Sequence, residues 1–319
     1  MIPYLFKIGP ITVYSYGAML AIGFLLGAWL IRLELRRWGM NEDISDHIVI
    51  AAMVGGIVGA KLYFVMVEAP GRMVQDPWGT LFSGAGLTFY GGMIGAVVLI
   101  ILVARWHKAP ALRIFDFVGL VLVVGYGWGR MGCFLSGDGD YGPPSNLGRD
   151  GVYAPPMVWT GPHEVTIPND IPWSISFPNG TVPTTLHVHP TPVYEFTTVW
   201  IAFLVLWFLV RKRPTGQGFM LGISLLVLGV ERFITEFWRL DSAVLVSHGY
   251  QTAFGTTQAE LDAFSAAVVA HYSHWLSLST AQWLSIVVAL VGLGLMLYSR
   301  SRPVETPPEP VPERAKKSR

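Results

Sequence analysis

The fold class of this chain is indicated by the stretch Ile114-Phe-Asp-Phe-Val-Gly-Leu-Val-Leu-Val-Val-Gly-Tyr-Gly-Trp-Gly-Arg-Met-Gly-Cys-Phe-Leu135. Its residues are almost all apolar or glycine, and its length is close to the ~20 residues that an α-helix needs to cross a bilayer. A helix that is apolar on every face is buried in a large core or spans a membrane. The stretch therefore predicts a membrane-spanning helix.

Six further apolar runs of similar length indicate that the whole chain is embedded in a membrane. Only 13% of its residues are charged and 52% are hydrophobic, whereas a soluble domain carries about 25% charged residues. The first run is too long for a signal peptide and lacks a cleavage site, so we expect a retained helix. The sequence predicts an all-α polytopic membrane protein with about seven spans, at 14–34, 46–67, 87–105, 114–135, 191–210, 217–237 and 279–299.

The basic residues predict the orientation of these helices. One set of connections, together with the C-terminal tail, holds fifteen Lys and Arg residues, and the opposite set holds only Lys7, Arg72 and Arg149. Because Lys and Arg are retained on the cytoplasmic side, we expect the N-terminus outside and the C-terminus in the cytoplasm.

The connections divide the chain into a membrane-embedded domain, residues 1–302, and a tail. The outer segment 136–190 is rich in Pro, Gly and aromatic residues and predicts a small extracytoplasmic lobe of short strands and turns. A second outer segment, 240–278, contains a predicted amphipathic helix. The proline-rich, charged tail 303–319 is typical of disorder.

Composition excludes several classes of function. The formal net charge of +1 gives no indication of a nucleic-acid partner. The single Cys133 excludes an intrachain disulfide and a thiolate metal cluster. Since no set of His, Asp and Glu ligands converges within one motif, we expect neither a metal nor a cofactor.

Ionisable residues inside predicted spans are costly and by default mark function. Any single one of them could equally form a buried ion pair or extend to the membrane surface. Together, and mostly near the outer ends of their spans, they favour a functional site. They are Lys61, Asp116, Arg130, Glu195, Glu231, Arg232, Glu236 and Arg239.

The segment Gly129-Arg130-Met-Gly-Cys-Phe-Leu-Ser-Gly-Asp138-Gly-Asp140-Tyr-Gly142 is the most specific of the polar motifs. Its glycines allow a backbone to approach a ligand closely, although glycines in membrane helices more often serve helix packing. A guanidinium group can hold two phosphate oxygens. Asp138 and Asp140 suit an acid–base or positioning role.

Two further motifs open spans at the same predicted level. Phe89-Tyr90-Gly91-Gly92-Met-Ile-Gly95 opens the third span, and His189-Pro-Thr-Pro-Val-Tyr194-Glu195 opens the fifth. Tyr90 is either an interfacial anchor or a hydrogen-bond donor of a site. Together the motifs predict a phosphate-sized cationic site at the outer leaflet.

These motifs, in this order, resemble the prolipoprotein diacylglyceryl transferase family. The resemblance runs from Ile8-Gly9-Pro10 and Tyr14-Ser-Tyr16-Gly17 to Glu231-Arg232-Phe-Ile-Thr-Glu236-Phe-Trp-Arg239. It implies a multi-pass enzyme of the bacterial cytoplasmic membrane whose partners are membrane lipids. Its substrates would be phosphatidylglycerol and the lipobox cysteine of prolipoprotein signal peptides. The diacylglyceryl group is transferred to that thiol and glycerol phosphate is released.

The resemblance also implies site residues. The signature arginine of the family corresponds to Arg130 and a second phosphate-binding arginine to Arg232. With Asp138 and Tyr90 they form the expected catalytic set. The expected substrate-binding residues are Tyr16, Lys61, Gly91, Gly92, Gly142, Tyr194, Glu195, Glu236 and Arg239.

The chain departs from the family pattern at three positions that bear on the proton. Tyr90 stands where a histidine is common, Cys133 where an asparagine is common, and Asp138 where a glutamate is common. Tyrosine is a poor base at neutral pH, so we hypothesise that Asp138 takes the thiol proton. We expect Cys133 to be a small buried side chain rather than a nucleophile.

Two other functions compete with this interpretation. A transporter would also bury charges near the outer face, but it should show an internal repeat and polar positions on the cytoplasmic side. We expect the inner halves of these spans to be almost purely apolar, which argues against transport. A relative that binds lipid without transferring it is compatible with Tyr90.

Overall fold

The computed structural model describes residues 2–9, 11–82, 86, 88–142, 157–160, 164–167, 172–236 and 278–308. Within these ranges the protein is mainly helical. The predicted amphipathic helix of segment 240–278 and the site candidate Arg239 lie outside the described residues.

Long apolar helices dominate the described part of the chain. They are α1 (Ser15–Arg37), α2 (Ile44–Tyr63), α5 (Phe89–Trp106), α6 (Ala111–Ser136), α7 (Thr191–Val205), α8 (Phe219–Thr235) and α9 (Thr280–Arg300). Five-residue π-helical turns, Phe64–Glu68 and Leu206–Val210, extend α2 and α7. Two short helices, α3 (Pro70–Gln75) and α4 (Pro77–Phe82), lie between α2 and α5.

Six of the described helical segments are long and apolar enough to cross a membrane. They correspond to all predicted spans except the one at 217–237, and they confirm a multi-pass membrane protein. The remaining segment contains α8, which has 17 residues. Its crossing, and with it the total of seven spans and the orientation, stays a prediction.

Helix α6 is central to the fold because it contributes to two buried clusters. On one side Ile114 and Phe117 pack with residues of α1, α2 and α5. On the other side Leu120, Val123 and Val124 pack with residues of α1, α7 and α8. The helix that carries Arg130 is therefore fixed by neighbours on both sides.

Helices α2 and α5 approach each other through glycines. A Cβ on Gly55 or Gly59 would overlap the backbone of Gly91 or Gly95, and a Cβ on Gly92 would lie 3.0 Å from the carbonyl oxygen of Gly56. Glycine pairs four residues apart are the usual device for close packing of membrane helices. Gly91 and Gly92 therefore take part in close packing of α5 against α2.

The expectation that the inner halves of the spans are almost purely apolar is wrong, because buried charges lie at the helix ends that are predicted to face the cytoplasm. Glu34 is buried and pairs with Arg37 and with Arg211. Asp116 is buried and lies 3.2 Å from Arg113. The sequence identifies Asp116 as an ionisable residue within a span but does not indicate that Glu34 is paired with Arg211 from a distant part of the chain.

Asp116 has a structural role at the start of α8. Its carboxylate accepts hydrogen bonds from the backbone N–H groups of Gly218 (2.9 Å) and Leu221 (3.0 Å). The first N–H groups of a helix have no partner within it, and negative charge is favourable there. Helix α6 therefore caps α8.

The first residues of the predicted disordered tail lie against this cluster, in contrast to that expectation. Glu305 pairs with Arg113 at 2.8 Å and accepts a hydrogen bond of 2.8 Å from Gln217. It also forms an isolated β-bridge with Thr215. Residues 309–319 lie outside the described residues.

Short strands accompany the helices. At the N-terminus β1 (Tyr4–Ile8) pairs antiparallel with β2 (Ile11–Tyr14). The described part of segment 136–190 contains two antiparallel pairs, β3 (Met157–Thr160) with β4 (Glu164–Ile167), and β5 (Ile175–Phe177) with β6 (Thr184–Val188). Short strands predicted for this segment are thus present.

Candidate functional site

The loop after α6 turns back over the end of that helix because of two glycines. Gly137 and Gly139 have φ values of 60° and 97°, in the left-handed region that glycine adopts at little cost. The backbone N–H groups of Thr181 and Val182 donate to the carbonyl groups of Ser136 and Gly137. The turn places the loop that carries Asp138 and Asp140 beside the last turns of α6.

Aromatic packing holds the same loop against the β5–β6 strand pair of the lobe. Tyr141 stacks on Phe177 with ring centroids 5.0 Å apart, and its hydroxyl donates to the carbonyl oxygen of Val182. Phe134 meets the Phe177 ring edge-on at 5.9 Å. The lobe therefore positions the loop of the site.

Arg130 joins three parts of the chain. Its Nε donates to the hydroxyl of Tyr126 at 3.2 Å and lies 2.7 Å from Oε2 of Glu195, at ion-pair distance. Its Nη1 pairs with Asp140 of the loop and lies 3.8 Å from Sγ of Cys133. One guanidinium group thus connects α6, the glycine-rich loop and α7.

Glu195 is fully buried at the centre of this arrangement. Its Oε1 accepts hydrogen bonds from Tyr126 (3.1 Å) and Thr235 (3.4 Å) and lies 3.8 Å from Nη1 of Arg232. One buried carboxylate is therefore shared between Arg130 and Arg232, which come from different helices.

Arg232 is held in turn by the start of α9. It pairs with Glu236, one helical turn further along the chain. Glu236 accepts a hydrogen bond of 2.8 Å from Ser279, which forms a reciprocal capping box with Gln282. Because both ends of this chain of contacts are buried, the Arg232 side chain has little freedom.

Asp138 lies at the edge of the arginine cluster. Sγ of Cys133 and one carboxylate oxygen each of Asp138 and Asp140 all lie within 4.8 Å of one another. Burial raises the pKa of Asp138, and the negative charge of Asp140 raises it further. Asp138 is therefore a stronger base than an exposed aspartate, and it lies near the guanidinium group of Arg130.

Tyr16, at the start of α1, packs on the same turn of α6. A Cβ on Gly132 would lie 2.9 Å from Cδ2 of Tyr16, so the ring needs a glycine there. The Tyr16 side chain remains 41% exposed. It lies within reach of a ligand at the Arg130 turn.

Tyr194 and Gly142 line the lobe side of the site rather than its ionic centre. The Tyr194 hydroxyl accepts a hydrogen bond of 2.7 Å from Trp173 and lies 3.3 Å from Nδ1 of His189. The Gly142 N–H donates to the carbonyl oxygen of His189 at 2.8 Å. Burial lowers the pKa of His189 to about 4, so this imidazole is neutral at pH 7.

Four predicted site residues lie on the α2–α5 pair instead. Tyr90 is 41% exposed and meets Phe89 edge-on at 6.0 Å, and Lys61 is buried with Nζ 5.7 Å from the Phe64 ring. Gly91 and Gly92 serve helix packing, as described above.

Three residues of the cluster were missing from the predicted site. Tyr126 precedes Arg130 by four residues, a spacing that places both on one helix face, and this signal could have identified it. The sequence indicates an acid–base or positioning role for Asp140 and identifies Glu231 only as an ionisable residue within a span. Glu231 is buried, and neither of its oxygens has a hydrogen-bond partner among the described residues.

The arrangement can bind an anion that arrives from the membrane. The guanidinium groups of Arg130 and Arg232 both lie against the carboxylate of Glu195. The described hydrogen bonds and ion pairs of Arg130 use its Nε and Nη1. Arginine forks match phosphate and carboxylate oxygens. A thiol that reached the same place would meet Asp138 beside the bound anion.

Comparison with known proteins agrees with this chemistry. The sequence profile described as prolipoprotein diacylglyceryl transferase matches residues 3–298. A phosphatidylglycerol--prolipoprotein diacylglyceryl transferase of Clostridium tetani is 30% identical over 76% of this chain and 86% of its own length. The enzyme of that name from Chromohalobacter salexigens is 29% identical over 95% of this chain and 94% of its own length. One from Mannheimia succiniciproducens is 31% identical over 79% and 85%, respectively. This chain belongs to the prolipoprotein diacylglyceryl transferase family.

Proposed function

We propose that this protein transfers the diacylglyceryl group of phosphatidylglycerol to the lipobox cysteine of prolipoproteins. Family membership supports the reaction, and the observation that carries the site is the buried Glu195 shared by Arg130 and Arg232. Buried charges within membrane helices are expensive to maintain. Two arginines held on separate helices around one point suit a ligand with several anionic oxygens.

The reaction exchanges one bond to carbon for another. The sulfur of the prolipoprotein cysteine attacks the phosphate-bearing carbon of the diacylated glycerol. A C–S bond forms, the C–O bond breaks, and glycerol phosphate leaves with the electron pair. The thiol proton passes to a base, because the thiolate is the nucleophile.

Arg130 and Arg232 stabilise the departing phosphate. Negative charge on the bridging oxygen increases as the C–O bond breaks, and both guanidinium groups are already oriented by Glu195, Asp140 and Glu236. Preoriented donors of this kind contribute roughly 2.7–4 kcal/mol each in oxyanion holes. The Nη2 group of Arg130 is the donor that we assign to the phosphate.

Asp138 is the base that we propose for the thiol proton. It lies in the loop beside Cys133 and Asp140, and its raised pKa favours proton uptake. Tyr90 is partly exposed on the α2–α5 pair, so we assign it to substrate orientation. Tyr16, Tyr194, Gly142 and the lobe form the remaining contacts of the two substrates.

The setting that we propose is the bacterial cytoplasmic membrane, crossed seven times, with the glycine-rich loop and lobe outside. Residues 1–302 form the transferase domain, and the segment 303–319 is cytoplasmic. The basic-residue distribution supports this orientation. A site at the outer leaflet would be accessible to the signal peptides of prolipoproteins.

Transport is a weaker proposal despite the second ionic cluster at the other end of the bundle. Between Asp116 and Arg130 the buried side chains of α6 include Leu120, Val123 and Val124, which pack tightly with neighbouring helices. A path for a polar solute would have to break that layer. Asp116, in addition, is used as a helix cap.

A reconstitution assay tests the proposed reaction. Purified protein is incubated with phosphatidylglycerol and a lipobox peptide, and mass spectrometry measures the diacylglyceryl adduct. We expect an adduct with the cysteine peptide and none with a matched peptide in which serine replaces that cysteine. Lipid binding without any adduct would identify a relative that binds phosphatidylglycerol but does not transfer it.

A further inference from the structure

An apolar groove adjoins the arginine cluster, at the junction of α1, α2, α5 and α6. Its volume is about 220 Å³, and its lining includes Leu20, Gly27 and Ile31 of α1, Ile48 of α2, and Gly125 and Tyr126 of α6. Gly125 also lines the groove, and a Cβ on it would meet nothing within 4 Å. The absence of a side chain at this position leaves part of the groove open.

Tyr126 connects the groove to the arginine cluster. Its ring lines the groove, and its hydroxyl accepts a hydrogen bond from Arg130 and donates one to Glu195. The polar end of this one side chain therefore belongs to the ionic centre. The apolar end belongs to the groove, so the two sites are continuous.

The groove is about as long as the hydrocarbon part of one leaflet. Leu20 and Ile31 are eleven residues apart on α1, about 16 Å along a helix. One leaflet contributes half of the ~30 Å hydrocarbon core of a bilayer. Phe24 and Leu122, which also line the groove, are 37% and 45% exposed, so the groove is open at its side to surrounding lipid.

We propose that this groove binds one acyl chain of the phospholipid whose phosphate lies at Arg130. This inference rests on the proposed function, which supplies a substrate with a phosphate and two acyl chains. An anion without a chain would occupy only the arginine cluster. The groove thus makes the site selective for a phosphate that carries a long hydrocarbon chain.

Substitution of Gly125 by leucine tests the groove without moving the arginines. The added side chain enters open space in the groove. Gly294→Leu is the matched control, because Gly294 on α9 also has nothing within 4 Å of an added Cβ and does not line the groove. Transfer is measured in nanodiscs with dipalmitoyl and with dihexanoyl phosphatidylglycerol.

We expect Gly125→Leu to lower the ratio of kcat/KM for the long-chain lipid to that for the short-chain lipid. One methylene in an apolar pocket changes kcat/KM by about tenfold or more, so a loss of at least tenfold in the ratio is expected. Gly294→Leu should leave the ratio unchanged. An unchanged ratio in Gly125→Leu, with transfer still measurable, would show that the chain lies elsewhere.

Photocross-linking provides a test that needs neither turnover nor a stable variant. Wild-type protein is labelled with phosphatidylglycerol that carries a diazirine near the end of one acyl chain. We expect labelled peptides from the groove segments around Ile31, Ile48 and Val118. Labelling confined to the outer face of α9, around Leu290 and Leu293, would overturn the proposal and indicate only bulk lipid. Failure of the wild-type protein to form the lipopeptide adduct would contradict the proposed function. The labelled positions would still show whether an acyl chain binds in the groove.

Discussion

Arg130 and Glu195 form the pair on which the site is built, with Nε of the arginine 2.7 Å from Oε2 of a fully buried glutamate. The two residues lie on α6 and α7. Arg232 approaches the other oxygen of the same glutamate from α8 at 3.8 Å. A single carboxylate therefore sets the separation of two cations, so the site depends on the relative position of three helices.

Arg130→Lys should nearly abolish transfer while the protein stays folded in the membrane. Lysine keeps the charge but loses the planar fork that holds two oxygens. It also cannot serve Tyr126, Asp140 and a ligand from separate nitrogens. The adduct assay measures the loss, and a thermal melt serves as the folding control. Wild-type activity in this variant would refute the bidentate phosphate role.

Asp138→Asn should lower the transfer rate by about 10²–10⁴-fold, the usual range for loss of a general base. Tyr90→Phe should cost less, about tenfold, because it removes a hydrogen bond and no base. Tyr90→His should be tolerated. A nearly silent Asp138→Asn beside an inactive Tyr90→Phe would transfer the role to the tyrosine.

The pH profile of the wild-type enzyme provides an independent test of the same residue. Only the carboxylate form of Asp138 takes a proton, so the rate should fall as the pH drops through the pKa of this group. Burial and Asp140 raise that pKa, and the acid limb should therefore lie above the ~3.9 of an ordinary aspartate. Asp138→Asn should lack this limb.

Cys133→Ser should retain most of the transfer activity. Cys133 is buried at the foot of the loop, where serine is of similar size. Its Sγ lies 3.8 Å from Nη1 of Arg130, and a hydroxyl group can occupy the same contact. The adduct assay again provides the measurement. Complete loss in a folded variant would indicate a covalent route through this thiol.

Asp116→Ala should destabilise the protein by about 3–5 kcal/mol, the usual result when one partner of a buried ion pair is removed. It removes the buried counter-ion of Arg113, which keeps only the partly exposed Glu305, and it removes the cap of α8. Asp46→Ala is the control, because the Arg32–Asp46 pair is exposed and such pairs contribute about 1 kcal/mol or less. Thermal unfolding in detergent compares the two, and equal shifts would contradict the capping role.

The sequence predicted the helices well and the partners of its charged residues poorly. Apolar runs such as Ile114–Leu135 identify a span from composition alone, since the bilayer imposes the length. Arg130, Glu195 and Arg232 were found because ionisable residues are rare at such positions. Local spacing gave no way to see that Glu195 lies between the two arginines.

Glycine motifs were the least informative signals. The sequence predicts that Gly91 and Gly92 bind substrate, which stays a prediction, but it does not show that they also pack against glycines of α2. Gly125, which had no assignment, lines the groove. Whether a glycine makes room for a backbone or for a ligand depends on which helix faces it, and that is a property of the assembled bundle.

The position of Arg130 in the chain order has a consequence for biosynthesis. Helix α6 is synthesised before Glu195 and α8, so its arginine must enter the membrane without the partner that α7 later supplies. A lone arginine costs roughly 2.5–3.5 kcal/mol at the centre of a helix on insertion scales, which is an upper bound for Arg130 because it lies near the end of α6. Asp116 is different, because Arg113 on the same helix already accompanies it. The translocation machinery must therefore hold α6 near water or near α1 until α7 arrives, and slowing synthesis between residues 136 and 195 should increase degradation of the nascent chain.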